Sequence, residues 1–301
     1  MIFVFIFVMS ACTNKSYNKE KMTHTDNAGA TTEKRSYNTF TGRKPLEEVK
    51  LKVNYSKLNK GLSSKKIEHS YGVAKDNKPH SISVESQKFL ENKKFNAVTY
   101  DTMTEKNIYL TFDCGYENGY TSKILDILKE KDVKAAFFCT LDDIKSEPEL
   151  IARMIKEGHI VGNHSSTHSS FDTLSAEQIA SELENCENYL RKNFGYTTKY
   201  FRFPKGNYSE KALDVVSSLG FVSVFWSSSY ADWDTDNQKG ADYAFEKVTQ
   251  RLHPGAIILL HSVSSDNAGS IGRIIDYARS QSYQFSTIDK IDLSYSNYIT
   301  Q

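Results

Sequence analysis

From Asn107 onward, short apolar runs alternate with longer amphipathic stretches, and this alternation restricts the fold more than any other feature of the chain. The apolar runs have the length of strands and the amphipathic stretches have the length of helices, so the pattern predicts parallel strands connected by helices. Such a chain forms either a barrel or an open, doubly wound sheet. The apolar runs are IYLTF, KAAFF, HIVGN, KYFRF, FVSVFW, AIILLH and QFSTI.

The number of predicted strands favours a barrel. Seven apolar runs are slightly fewer than the strands of a standard (β/α) barrel. We therefore predict an α/β fold, a distorted (β/α)7 barrel, with an open doubly wound sheet as the alternative. The longest helical stretch begins with a capping box from Ser175 to Gln178 and ends before Gly195, a typical C-cap. In either fold, the chemistry belongs at the C-terminal ends of the strands.

The first residues, MIFVFIFVMSACTNKS, contain an apolar core that is too short to span a bilayer and is typical of an export signal. Met9 to Cys12 is similar to a bacterial lipobox, in which Cys12 becomes lipidated after cleavage. The positive residues that usually precede such a core are missing, and a short buried segment is the alternative. We expect an exported lipoprotein that is anchored through Cys12 on the outer face of a bacterial membrane without spanning it.

Composition predicts the domain boundaries. After the signal segment at 1–12, residues 13–62 are rich in Lys, Asn, Ser and Thr without an apolar period, which predicts a flexible tether. Sparse apolar residues at 63–106 predict an N-terminal extension packed on the barrel, and residues 107–293 form the predicted catalytic domain. The formal net charge of +1 indicates no nucleic-acid partner, and we expect a monomer.

Two histidines follow the run HIVGN at a spacing of four residues, His164 and His168. If the chain turns helically there, both rings lie on one side and can bind one divalent ion. Two imidazoles and one further oxygen or sulfur ligand leave a position open for water, whose pKa the ion lowers. The alternative is a pair of hydrogen-bonded loop histidines.

Charged side chains stand at the ends of other predicted strands. Asp113 follows YLTF and can act as a general base, whereas His261 closes AIILLH and is either a core histidine or the general acid. Arg202 can hold the carboxylate of Asp113 through two hydrogen bonds. Asp232 can hold Arg202 or His261 and tune the imidazole pKa. A purely structural salt bridge would give the same sequence.

Two further residues are candidates for contact with substrate. Lys205 lies in the tight turn Pro204–Gly206, whose backbone N–H groups can face a developing oxyanion. Trp233 follows Asp232 directly. Tyrosine is abundant in the chain, which suits sugar stacking but also suits an ordinary packed core.

Five short motifs occur in a characteristic order: TFDCG, HSSTH, RFPKG, DW and LLH. Together they resemble the motifs of the polysaccharide deacetylases, also called NodB-homology or carbohydrate esterase family 4 proteins. Longer stretches resemble the delta-lactam-forming peptidoglycan N-acetylmuramic acid de-N-acetylases of spore-forming bacteria. These stretches are TFDCGYENGYTSKILDIL, VFWSSSYADWDTDNQKG and HPGAIILLHSVSSDN.

The resemblance implies a metal-dependent hydrolase that removes acetyl groups from muramic acid residues of peptidoglycan strands. The freed amine can then close onto the lactyl carboxyl as a lactam. The alternatives are a deacetylase of N-acetylglucosamine in peptidoglycan or an exopolysaccharide, and a non-catalytic glycan-binding protein. The implied ion is zinc, with manganese or cobalt as alternatives. The implied roles are Asp113 as base, His261 as acid, His164 and His168 as metal ligands, Arg202 as the residue that orients the base, Asp232 as the residue that tunes the pair, and the Lys205 N–H as oxyanion donor.

The chain departs from the wider family at two positions. Phe203 stands where the family usually has proline, and Cys114 replaces the second aspartate of Thr-Phe-Asp-Asp-Gly, the third metal ligand. The subgroup that this chain resembles commonly lacks that aspartate as well. Three interpretations of Cys114 stay open: a thiolate ligand, a bystander beside a weakly bound ion, or a disulfide partner of Cys139.

Overall fold

The computed structural model describes residues 38–298, and the predicted signal and lipidation site at Cys12 lie outside this range. Its strands, in chain order, are β1 (Ile67–Glu68), β2 (Ala97–Val98), β3 (Asn107–Cys114), β4 (Ala136–Cys139), β5 (Ile160–Asn163), β6 (Tyr200–Phe201), β7 (Asn207–Tyr208), β8 (Val222–Val224), β9 (Ile257–His261) and β10 (Gln284–Phe285). Its α-helices are α1 (Ser81–Lys93), α2 (Thr121–Glu130), α3 (Leu141–Ser146), α4 (Pro148–Lys156), α5 (Ala176–Phe194), α6 (Glu210–Ser218), α7 (Ala241–Thr249) and α8 (Ser265–Ser280).

The main sheet is parallel and runs in the order β9, β3, β4, β5, β6, β8 and β2, with β10 beside the start of β3. Single bridges close the sheet towards β9: Tyr100, after β2, pairs with Ala256, and Ser228, after β8, pairs with Ile258. The predicted distorted barrel is therefore confirmed, and each of the seven apolar runs contains a strand. The two-residue strand β2 has no alternating pattern and was not predicted.

Alternate residues of β3 point to opposite faces of the sheet. Tyr109 packs with Phe138 and Leu259 on the inner face. Leu110 and Cys114 belong to a second cluster that includes residues of α2 and α8, on the helix-covered face. This alternation follows from the two-residue period of a strand, and it decides which side chains can reach the barrel mouth.

The helix α5 has the ends that the sequence predicts. The Ser175 hydroxyl and the Gln178 side chain exchange hydrogen bonds with the two backbone N–H groups, and Gly195 adopts the left-handed conformation with φ 58°. Among residues 38–298, no helix has both the length and the apolar character needed to cross a membrane.

Residues 38–62, which the sequence assigns to the flexible tether, lie along the barrel instead. The N–H of Leu51 donates to Glu184, and the N–H of Val49 donates to Asn188, both on α5. Leu62 is buried in the cluster around α6. Because these contacts use backbone groups and isolated side chains, they leave no apolar period in the sequence. The remainder of the predicted tether, 13–37, lies outside the described residues.

Candidate active site

A cavity of about 740 Å³ opens at the C-terminal ends of β3, β5 and β9. Most of the predicted site residues line it, because parallel strands end at one edge of the sheet. Arg202 and Asp232 are buried directly behind this wall, at 0% and 1% exposure. The predicted residues that line the cavity are Asp113, His164, His168, Lys205, Trp233 and His261.

Arg202 binds the Asp113 carboxylate from behind the cavity wall. Its Nη1 donates to Oδ1 of Asp113 at 2.8 Å, and its Nη2 donates to the Thr111 hydroxyl at 2.9 Å. Its Nε donates to the carbonyl of Val224 at 2.9 Å, while the guanidinium lies 4.2 Å from the ring centroid of Phe138. The contact to Asp113 uses one nitrogen rather than the two hydrogen bonds we expected, since the second nitrogen is occupied by Thr111.

The carboxylate of Asp113 is kept ionised by its charged neighbours. Burial alone would raise its pKa, but the Arg202 guanidinium outweighs burial, with help from His261, so the net pKa lies below the usual value. At neutral pH, Asp113 is therefore a proton acceptor at the edge of the cavity.

His164 and His168 approach each other through a loop rather than a helical turn. Ser165 and His168 both have positive φ values, 72° and 55°, and the Ser165 hydroxyl accepts the N–H of His168 at 2.9 Å. The two rings are nevertheless close, with centroids 5.0 Å apart. Nδ1 of His164 donates to the Arg202 carbonyl at 2.9 Å, which leaves Nε2 as the free acceptor.

The donor groups at this point of the cavity are of the types that bind a divalent ion. Burial lowers the pKa of both imidazoles, that of His168 to about 4, so both have a free lone pair at neutral pH. Oδ2 of Asp113 lies 3.5 Å from Nε2 of His164. Two neutral imidazoles and one carboxylate are a common ligand set for zinc. The Nδ1 hydrogen bond of His164 supplies the outer support that metal-binding histidines usually have.

His261 is held by Asp232, which is buried behind the cavity wall. Asp232 accepts from Nδ1 and from the backbone N–H of His261, both at 2.7 Å. Burial alone would lower the pKa of His261, but the Asp232 carboxylate outweighs burial and raises it above the usual value. The imidazole is therefore ready to donate a proton near neutral pH. Of the two partners predicted for Asp232, the structure selects His261.

The turn Pro204–Gly206 brings Lys205 to the cavity in a left-handed conformation, with φ 58° and ψ 7°. The hydrogen bonds that form this turn use the N–H groups of Gly206 and Asn207, not that of Lys205. Gly206 has φ 65°, and a Cβ atom there would lie 2.8 Å from the Trp226 ring. Glycine is required at this position because it satisfies both the left-handed backbone and the close approach.

Cys114 lies away from the two histidines. Its side chain is on the helix-covered face of β3, where its Sγ accepts a hydrogen bond from Ser262 at 3.3 Å. Among residues 38–298, the group of three ligand atoms within 4.8 Å of one another that includes Cys114 is completed by Cys139 and Asp143. Both cysteines are free thiols. This placement supports neither a Cys114 ligand at the His164–His168 site nor a disulfide, and it favours the bystander interpretation.

Comparison with known proteins agrees with this geometry. The family profile described as polysaccharide deacetylase matches residues 100–224. The peptidoglycan-N-acetylmuramic acid deacetylase PdaA of Bacillus subtilis is 45% identical to this chain over 199 residues, which cover 66% of the chain and 76% of PdaA. The chain belongs to the polysaccharide deacetylases of carbohydrate esterase family 4.

The three-dimensional comparison places this deacetylase near the same relative. The structure of Bacillus subtilis PdaA, a family 4 carbohydrate esterase, matches it with a TM-score of 0.72 and 39% identity, over 76% of this chain and 98% of that chain. The peptidoglycan-N-acetylglucosamine deacetylase PgdA of Listeria monocytogenes is more distant, at 31% identity over 188 residues, which cover 62% of this chain and 39% of PgdA.

Two supporting residues of the deacetylase site escaped sequence analysis. Nδ2 of Asn267 donates to Oδ2 of Asp232 at 2.6 Å and to the His261 carbonyl at 3.0 Å, so it holds Asp232 and His261 together. Thr111 anchors Arg202 from the middle of β3. Asn267 is buried near the start of α8, where a polar side chain is common at a helix end, so nothing in the sequence distinguished it. Thr111 belongs to the motif TFDCG, but threonine is a usual strand residue, so no separate role was assigned to it.

Proposed function

We propose that this chain hydrolyses the acetamide of N-acetylmuramic acid residues in peptidoglycan, releasing acetate and leaving a free amine. The family membership supports the reaction, and the greater identity to PdaA than to PgdA favours muramic acid over glucosamine as the substrate. The product amine can close onto the lactyl carboxyl of the same residue, which would form the muramic delta-lactam of spore cortex.

One observation carries the catalytic assignment: Asp113 and His261 are register partners on the neighbouring strands β3 and β9, and their pKa values are shifted in opposite directions. The pKa of Asp113 is lowered by a buried arginine, and the pKa of His261 is raised by a buried aspartate. The lowered pKa suits Asp113 to act as the base, and the raised pKa suits His261 to act as the acid, within one cavity.

In the proposed mechanism, Asp113 accepts a proton from the water that attacks the acetamide carbonyl. The N–H of Lys205 donates a hydrogen bond to the oxygen that becomes negatively charged. His261 gives its proton to the departing amine, and the C–N bond breaks to leave acetate. His164 and His168, with Asp113 beside them, would hold a divalent ion, zinc by ligand type, which supplies Lewis acidity when bound.

We also propose that the protein acts outside the cytoplasm, because its substrate lies in the cell wall. The lipobox-like segment that ends at Cys12 supports anchoring by lipid on the outer face of the membrane, with the deacetylase domain reaching the glycan strands as a monomer. Radiolabelled palmitate incorporation, compared between the full chain and its Cys12→Ala variant, tests the anchor.

Mass spectrometry of peptidoglycan treated with the purified protein tests the substrate. We use glycan strands with intact stem peptides and strands from which an amidase has removed them. We expect a loss of acetyl groups from muramic acid in the stripped strands, and none with the Asp113→Asn variant. Deacetylation of glucosamine alone would overturn the proposed substrate, and no deacetylation of any glycan would favour a non-catalytic glycan-binding protein.

A further inference from the structure

Lys205 offers the cavity a cation that the mechanism above does not use. Among the described residues that line the cavity, it is the sole lysine or arginine. Within the described part of the chain, residues 38–298, its ammonium forms no ion pair with a carboxylate, whereas Lys131 and Arg202, for example, do. The ammonium lies close enough to His168 to contribute to the lowered pKa of that imidazole. An unpaired positive charge therefore borders the site of the reaction.

The backbone conformation at position 205 favours glycine, so the presence of a lysine side chain there needs another explanation. A non-glycine residue in the left-handed region costs about 1 kcal/mol, and glycine would remove that strain. The turn is fixed on both sides, by Pro204 before it and by Gly206 against Trp226 after it. The origin of the Lys205 side chain is therefore well defined, although its end is exposed and free to adapt.

The proposed substrate carries a negative charge close to its acetamide group. N-Acetylmuramic acid bears a lactyl ether on the ring carbon next to the one that carries the acetamide. If the acetamide oxygen faces the N–H of Lys205, the lactyl group comes within reach of the same residue's four-carbon side chain. The lactyl carboxyl is an anion only when no stem peptide is attached, because the peptide converts it into a neutral amide. N-Acetylglucosamine lacks the group altogether.

We propose that the Lys205 ammonium binds the free lactyl carboxylate of muramic acid, so that Lys205 selects residues without a stem peptide. This inference rests on the proposed function. Lysine suits the task because its ammonium is a compact charge with rotatable donors, and the carboxylate lies on a flexible ether arm.

The contact is remote from the reacting bond, so it forms equally in the bound substrate and in the transition state. Loss of the ammonium should therefore act mainly on KM for the carboxylate substrate, because the backbone N–H of Lys205 is retained. A hydrogen bond to a charged group predicts a fall of roughly ten- to a hundredfold in kcat/KM. Because Lys205 is exposed, high salt should weaken the preference in the wild-type protein as well.

The test compares two soluble muramyl oligosaccharides, one with a free lactyl carboxylate and one with that group converted to its methylamide. The measured quantity is the ratio of kcat/KM for the carboxylate over the amide. We expect a ratio of about ten or more for the wild type and for Lys205→Arg. For Lys205→Gln the ratio should fall towards one. Lys199→Gln is the matched control, since Lys199 is exposed at the opposite end of β6 and should keep the wild-type ratio.

The outcomes separate the two proposals. If the wild type deacetylates neither muramyl substrate, the proposed function fails. If the wild type acts on both but its ratio is near one, or if Lys205→Gln keeps the wild-type ratio, only the role of the Lys205 ammonium is overturned. If Lys205→Gln proves inactive, the salt dependence of the wild-type ratio gives an independent answer. A wild-type ratio that does not change with salt would contradict the proposal.

Discussion

The guanidinium of Arg202 lies 2.8 Å from Oδ1 of Asp113 and is itself fully buried. Two charges are thus removed from water beneath the cavity, and each stabilises the ionised form of the other. The remaining donors of Arg202 go to Thr111, Val224 and Phe225. The pair therefore contributes both to the reactivity of Asp113, the proposed base, and to the stability of the barrel interior.

Arg202→Lys should harm stability and activity together. Lysine cannot satisfy these separate acceptors, so it leaves a buried charge poorly paired, and we expect the free energy of unfolding to fall by about 3 kcal/mol. Urea denaturation followed by circular dichroism measures this change. The control is Arg153→Lys, which alters the partly exposed ion pair with Asp126 and should cost less than about 1 kcal/mol. Equal losses in the two variants would contradict the structural role of Arg202.

Asp232→Asn should move the alkaline limb of the pH profile of kcat/KM to lower pH. The carboxylate raises the pKa of His261 against the effect of burial, so its removal lets burial lower that pKa. The proton donor is then lost at a lower pH than in the wild type. Asp276→Asn, a surface variant, should keep the wild-type limb. An unchanged limb in Asp232→Asn would show that His261 is not the titrating acid.

Cys114→Ala should keep most of the bound metal and most of the activity, because the thiol lies on the helix-covered face of β3. Cys114→Asp should instead lower the free energy of unfolding by about 2 kcal/mol or more, since it buries a second carboxyl beside Asp143. Burial and Glu117 already raise the pKa of Asp143 to about 7. Metal analysis and thermal denaturation of both variants provide the measurement. A loss of metal in Cys114→Ala would restore the thiolate-ligand interpretation.

Removal of divalent metal should abolish deacetylation, and zinc, manganese or cobalt should restore it. His168→Ala should bind less metal than the wild type at equal free metal, measured by plasma mass spectrometry after dialysis, because one imidazole ligand is gone. His159→Ala is the control, as His159 is a buried histidine outside the cavity lining. Activity that survives exhaustive chelation would rule out the metal-assisted mechanism.

Gly206→Ala should lower both stability and kcat, because the new methyl group lies against Trp226 and the turn that positions the Lys205 N–H must shift. Gly220→Ala isolates the backbone effect, since Gly220 also has a positive φ, 87°, but has no atom within 4 Å of an added Cβ. We expect Gly206→Ala to be less stable than Gly220→Ala by about 1 kcal/mol or more. Similar stability and kcat in the two variants would show that the close approach of residue 206 to Trp226 is not important.

Several elements of the fold could be predicted because they depend on local sequence. The apolar runs at Ile108 and Ile257 have the composition of buried strands, and the ends of α5 follow from Ser175 and Gly195. The strand β2 could not be predicted, since its two residues pair with β8 only through contacts that are distant in sequence. The same is true of residues 38–62, whose order comes from α5 side chains such as Glu184.

The sequence by itself determined which residue types stand at the strand ends, and with them the proposed base, the proposed acid and the two histidines. Only the tertiary structure decided how these side chains are paired. It assigned Asp232 to His261, brought Asn267 to the same carboxylate, and turned Cys114 away from His164. The physical reason is that strand periodicity is a local property, whereas the partner of a buried charge depends on which strands become neighbours in the closed sheet.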